Sequence, residues 1–150
     1  EAFRTMSEEY ISNMNVIFFA VAILIVAVLL FVAIGLTKPH APQLDKEKFQ
    51  TSWLKIFNSV KKEEPASWHL AIINADKLVD SALRELMVNG QTMGERMKNA
   101  KDKFSSPNSI WHAHKLRNVI AHEPNAEINY DQTRRALNSF KQALKDLGAI

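Results

Sequence analysis

The sequence predicts an all-α protein, one transmembrane helix followed by an up-and-down helical bundle of about five helices. Three observations carry this prediction. Val16 to Leu36 is an unbroken apolar run, from Asp45 onward the apolar residues recur three and four apart with no alternating stretch, and the composition is poor in turn formers. With 47% hydrophobic residues, four glycines and no cysteine in 150 residues, the chain suits a helical globular domain better than a disordered or disulfide-stapled one. The absence of cysteine excludes a disulfide framework and a thiolate metal site. A formal charge of +3, spread along the chain, permits an anionic partner without requiring one.

The first element is "VIFFAVAILIVAVLLFVAIGL", 21 residues with no charge and no hydrogen-bonding side chain. At about 1.5 Å per residue it spans about 31 Å, the thickness of a bilayer's hydrocarbon core. A buried core helix of a small protein would keep a polar edge, and this run has none. A cleaved signal peptide would be shorter and preceded by basic residues, whereas Glu8 and Glu9 precede this one and Thr37-Lys38-Pro39 follow it. Ahead of it, residues 1–15 form a short N-terminus in which Met6 is a candidate start, so residues 1–5 are given no structural weight. The basic flank is C-terminal: Lys38, Lys46, Lys48 and Lys55 follow the span and only Arg4 precedes it. That asymmetry places the C-terminal domain in the cytoplasm of a single-pass cell-membrane protein. The linker, residues 37–44, is short and stiffened by proline, so the domain is expected close to the membrane.

Five helices are expected in residues 45–150. The first covers Lys46 to Lys62, with Phe49, Trp53, Ile56, Phe57 and Val60 inward. The second begins near Pro65, a good first-turn residue, and stops at Asn89-Gly90, with its inner face running from Trp68 through Ile72, Val79 and Leu83 to Leu86. The third runs from Thr92 to Phe104, with Met93, Met97, Ala100 and Phe104 inward and Arg96, Lys98, Lys101 and Lys103 outward as a basic face. The fourth opens at "SSPNS" and ends at His122, because Pro124 biases Glu123 away from helix. The fifth follows "NYDQ", with Ala136, Leu137, Phe140, Leu144 and Leu147 inward and Gly148 as its stop.

The fourth helix holds the chemistry. At about 100° per residue, Ala113, Leu116 and Ile120 make its core stripe with Ile110 and Ala121 at the margin, while Trp111, His114, Asn118 and His122 gather on another side. Arg117 stands apart, five residues and about 140° from His122, so one protomer brings the two together poorly. Two copies of the helix packed antiparallel about a two-fold axis would present the Arg of one to the His of the other. The residue types suit phosphodiester cleavage. Histidine can take the proton from a ribose 2′-hydroxyl, arginine holds two phosphate oxygens at once, and the asparagine amide can orient either. A structural alternative stays open: Arg117 could pair with Asp76 or Asp80 on the second helix and His122 could satisfy the last carbonyls.

"RNVIAH" resembles the Arg-x4-6-His motif of the HEPN superfamily, in which a polar residue, often Asn, follows the Arg. The resemblance covers about residues 44–150 and leaves the transmembrane helix outside it. It implies a HEPN-like helical domain with a metal-independent endoribonuclease site shared across a homodimer, in which Arg117, Asn118 and His122 are the catalytic residues. His114 and Lys115 are candidate RNA-binding residues beside them. No cofactor is expected. Metal is not expected either, because His112 and His114 point to nearly opposite helix faces. The expected partners are the lipid bilayer, a second copy, RNA, and a regulatory protein that restrains the nuclease. The rival from another class is a membrane-tethered interaction or nucleotide/RNA-binding module without catalysis. No P-loop, Gly-rich dinucleotide turn, Gly-x-Ser-x-Gly or paired-carboxylate signature is present.

Overall fold

The computed structural model describes the backbone of residues 2–36, 43–123 and 126–150, and the side chains of residues 14–35, 43–123 and 126–150. Most of the expected linker, 37–42, and the helix-stopping Pro124 lie outside the described residues. Six α-helices and one 3₁₀ turn, and no strand, occur among the described residues. They fall into two compact units, α1 (Ala2–Leu36) alone and the helices that follow it.

The apolar run is the C-terminal part of a longer helix, since α1 starts at Ala2 and takes in residues given no weight in the sequence. Met14–Gly35 is long and apolar enough to cross a membrane, and none of that segment is buried against the rest of the chain. An apolar surface of that size left in water would cost about 25 cal/mol for each Å². The segment therefore has the composition of a lipid-facing helix.

The second unit comprises α2 (Lys46–Asn58), α3 (Pro65–Glu85), α4 (Met93–Asn99), α5 (Pro107–His122) and α6 (Tyr130–Asp146), with a 3₁₀ turn at Lys101–Lys103. Helix α3 is central and packs against α2, α4, α5 and α6, while α5 also packs against α6. The core runs through Phe49, Ile72, Val79, Leu83, Phe140 and Leu144, all fully enclosed. Local chemistry fixes the starts. Asp45 and Thr92 accept backbone N–H bonds at the heads of α2 and α4, Asn129 and Gln132 form a reciprocal capping box on α6, and prolines open α3 and α5.

The ends differ from the sequence reading. Helix α2 stops at Asn58 rather than Lys62, where the Ser59 hydroxyl donates to the Ile56 carbonyl at 2.7 Å. Phe57 is exposed instead of inward, because Phe49, Trp53 and Ile56 already complete the stripe. The expected third helix breaks at Ala100 into α4 and the 3₁₀ turn, and Arg96 is buried rather than part of a basic face. On α5, Ile110 belongs to the core and Ala121 is exposed. Helix α6 ends as expected, with Gly148 at φ 72°. Near that end, burial pushes the Asp146 carboxyl up, but the Ser105 amide, the Gln142 amide and the Ser105 hydroxyl outweigh it and hold the group below its ordinary value.

Helix α3 ends at Glu85, four residues before the expected Asn89-Gly90 stop. The reversal is made by Met87 at φ 56°, whose neighbour Val88 donates its N–H to the Leu83 carbonyl at 3.0 Å. Gly90 serves a different purpose. A Cβ there would meet the Arg96 backbone nitrogen at 2.7 Å, so only glycine lets α4 approach this closely. The left-handed conformation costs a side-chain-bearing residue roughly 1–2 kcal/mol. Met87 is 79% exposed and recovers little by packing. Replacing it with glycine is expected to stabilise the fold by about 0.5 kcal/mol after the unfolded-state entropy of glycine is deducted. Urea unfolding of the detergent-solubilised chain checks this: Met87→Gly should exceed Met87→Ala, and equal midpoints would refute the strain.

Candidate functional site

Asp76 is the unexpected element of an otherwise apolar stripe on α3, lying between Ile72, Ala75 and Val79. It is 3% exposed. A carboxylate so enclosed is costly unless it is paired and hydrogen-bonded, and α5 supplies both kinds of partner. His114 Nδ1 lies 2.8 Å from Asp76 Oδ1, and Arg117 Nε lies 3.4 Å from Asp76 Oδ2.

The contacts continue into a closed ring. Arg117 Nη1 donates to Asn118 Oδ1 at 3.0 Å, and Asn118 Nδ2 reaches His114 Nε2 at 3.3 Å. One proton arrangement satisfies every link. Neutral His114 carries its proton on Nδ1 and donates it to Asp76, while its Nε2 accepts from the asparagine amide. Arg117 is the incompletely satisfied member. Its Nε is buried without a hydrogen bond, the 3.4 Å approach to Asp76 being electrostatic only. Of five guanidinium N–H donors, one makes a hydrogen bond among the described residues.

These groups open into a cleft of about 580 Å³ between α3, α4 and α5, bordered by Asp76, His114, Arg117 and Asn118 on one side and by Asp80 and Arg96 on the other. Asp80 stands one helical turn beyond Asp76. Its Oδ1 receives Arg96 Nε at 2.8 Å and Nη2 at 2.7 Å, its Oδ2 receives Arg84 Nε at 2.9 Å, and Arg96 Nη1 donates to the Gly90 carbonyl at 2.6 Å. On the far wall Asp80 is shared by two guanidiniums, which leaves that side net positive, and Arg117 faces it with donors to spare.

Three of the residues singled out in the sequence, His114, Arg117 and Asn118, meet in this cleft. His122 does not join them. It is the last residue of α5, exposed, with no hydrogen bond or ion pair among the described residues. Lys115 is also exposed and does not line the cleft. The anchor that sequence reasoning named only as an alternative partner of Arg117 is Asp76. Its signal was legible as one acidic residue within a stripe of buried aliphatic positions. Compared with family models, curated proteins and solved structures, the chain matches none.

Removing Asp76 takes the anion from two cationic or donor groups on α5. Asp76→Ala is expected to destabilise the fold by roughly 2 kcal/mol, below the usual cost of breaking a buried pair because Arg117 retains partial access to solvent. Asp76→Asn, which can still accept from His114, should cost about half as much. Denaturant midpoints test the order, and a neutral Asp76→Ala would show that the ring does not hold α5 to α3.

Proposed function

We propose that the chain is a membrane-anchored, HEPN-like endoribonuclease that works as a homodimer without metal. The observation that carries this reading is the state of Arg117, a guanidinium fixed at the edge of a cleft with most of its donors uncommitted among the described residues, on the same helix as an exposed His122 that has no partner among them. Histidine and arginine can supply two of the things that transesterification of RNA needs, a base for the 2′-hydroxyl and a cation for the growing charge on phosphorus. His122 takes the proton from the ribose 2′-hydroxyl, the 2′-oxygen attacks the adjacent phosphorus, and the bond to the 5′-oxygen breaks. The departing 5′-oxygen takes up a proton from water, and the protonated His122 returns its own to solvent. The products are a 2′,3′-cyclic phosphate and a 5′-hydroxyl. Arg117 binds the nonbridging oxygens as their charge grows, and Asn118 orients it through the 3.0 Å contact.

Within one protomer Arg117 belongs to the cleft and His122 lies outside its lining. A second copy with α5 antiparallel would bring the His of one chain to the Arg of the other, as the two-fold arrangement requires. A second reading, a tethered interaction module without catalysis, is favoured by one specific observation: Asp76 already engages Arg117 and His114 inside the bundle.

The discriminating experiment uses the full chain in detergent with single-stranded RNA and EDTA. Wild type should cleave, Arg117→Ala and His122→Ala should each fall by at least about 100-fold, the low end of an acid–base contribution, and mixed mutant dimers should regain part of the activity. Background cleavage by wild type would refute the enzyme; mutants that stay inactive despite demonstrated subunit exchange would refute the shared site.

The Lys-rich flank after the apolar segment supports a cytoplasmic C-terminal domain. A reporter active only in the cytoplasm and fused after Ile150 should work. Activity confined to a reporter that requires export would reverse this orientation.

A further inference from the structure

Beside the Arg117 cleft lies a second concavity, an apolar groove of about 220 Å³. Buried Met97, Phe104 and Ile110 form its floor, Trp111 forms a wall, and the exposed Lys98 and Lys101 stand at its edge. Trp111 lines this groove and stands beside two residues that line the cleft. Its ring centroid lies 6.0 Å from that of His114, and a Cβ on Gly94, which lines the cleft, would touch the indole at 3.6 Å. The ring thus lies within ordinary van der Waals range of the first turn of α4.

Exposure sets this tryptophan apart from Trp53, and a free indole donor sets it apart from Trp68. It is 39% exposed, whereas Trp53 is 5% exposed. Its indole N–H makes no hydrogen bond among the described residues, whereas Trp68 donates to the Lys61 carbonyl at 2.7 Å. A large amphipathic ring with a free donor, set over an apolar floor and flanked by cations, has the components of a stacking platform.

We propose that this groove is a nucleobase subsite, in which a base of single-stranded RNA stacks on Trp111 while Lys98 and Lys101 take a neighbouring phosphate. The assignment rests on the reading of the Arg117 cleft as an RNA-cleaving site, and it adds how the strand is held there. Size supports the occupant. The groove falls below the roughly 300–1,000 Å³ of pockets for drug-sized ligands and suits one flat ring. Position supports it as well, because Trp111 and Arg117 are six residues apart, about 9 Å of helix rise, a span that a short stretch of unpaired strand crosses. Paired RNA would not fit, since its bases are stacked within the duplex.

The test measures binding with chemistry blocked. The full-length His122→Ala chain in nonionic detergent is titrated with a labelled single-stranded oligoribonucleotide, and anisotropy gives the affinity. Trp111→Ala should weaken binding about tenfold and Trp111→Phe less than about threefold, as expected when stacking is sequence-tolerant and aromatic. Replacing both Lys98 and Lys101 with Gln should flatten the salt dependence by about 1.4 in the slope of log affinity against log salt. A duplex of the same sequence should be indifferent to Trp111→Ala.

Unchanged affinity in Trp111→Ala, or no binding by the parent, overturns the subsite. So does indole quenching by phosphatidylglycerol vesicles without quenching by RNA, which would assign the groove to anionic lipid. Wild-type cleavage separates this inference from the one beneath it. A chain that cleaves RNA yet ignores Trp111→Ala keeps its active site and loses the subsite. A chain that binds through Trp111 and never cleaves keeps the subsite and loses the nuclease.

Discussion

A single buried carboxylate organises the functional face of this bundle. Asp76 sits in the apolar stripe of the central helix, 3% exposed, where an unpaired charge could not be kept. The requirement for a partner fixes α5 in register against α3, because only the turn carrying His114 and Arg117 can supply one. Slide α5 by one turn and both the histidine and the arginine are lost to it, the asparagine being the nearest replacement. An apolar residue at position 76 would pack well and leave α5 freer to shift, so the polar choice gives definition at some cost in stability.

The second carboxylate of α3 does the same work for α4. Asp80 holds Arg96, Arg96 reaches back to the Gly90 carbonyl, and Gly90 must lack a side chain for the backbone to come so near. Helix α4 is only seven residues long, too short to be stable by itself. Its place is set by that arginine and by Met93 and Met97 beneath it. Because α4 also bears Gly94 and Lys98, the Asp80–Arg96 pair determines where Trp111 can lie and which cations flank it. Two acidic residues one turn apart on α3 therefore set both concavities.

Much of this could be read from residues alone. The apolar period placed the helices of the C-terminal unit, and proline, Asx and threonine caps marked their starts, because these signals act over one turn. Helix ends were less legible. Asn89-Gly90 reads as a stop for α3, yet the chain reverses at Met87, a residue with no intrinsic preference for positive φ, because Leu83, Leu86 and Val88 gain by packing on the core. Arg96 reads as a solvated cation by its lysine-rich neighbours, and its burial depends on Asp80, sixteen residues away. Single-helix geometry correctly set Arg117 apart from His122. It could not foresee that His114 and Asn118 would close a ring with Arg117 through a carboxylate on another helix.

That ring also bears on how the proposed chemistry would be controlled. In the proton arrangement that satisfies each link, both ring nitrogens of His114 are occupied, while Arg117 and the second amide N–H of Asn118 keep donors for an anion. A helix turns about 100° per residue, which sets His122 about 140° from Arg117 around α5, and His122 is exposed and outside the cleft's lining. In the proposed dimer the acid–base group would come from the partner copy. An isolated chain would bind phosphate without cleaving it, and activity would follow the concentration of paired copies. An apolar segment fit to enter a bilayer would confine those copies to a surface and raise their effective concentration. Under the proposed reading tethering and catalysis would be linked, since a geometry that leaves a lone chain inert would make assembly at the membrane the switch.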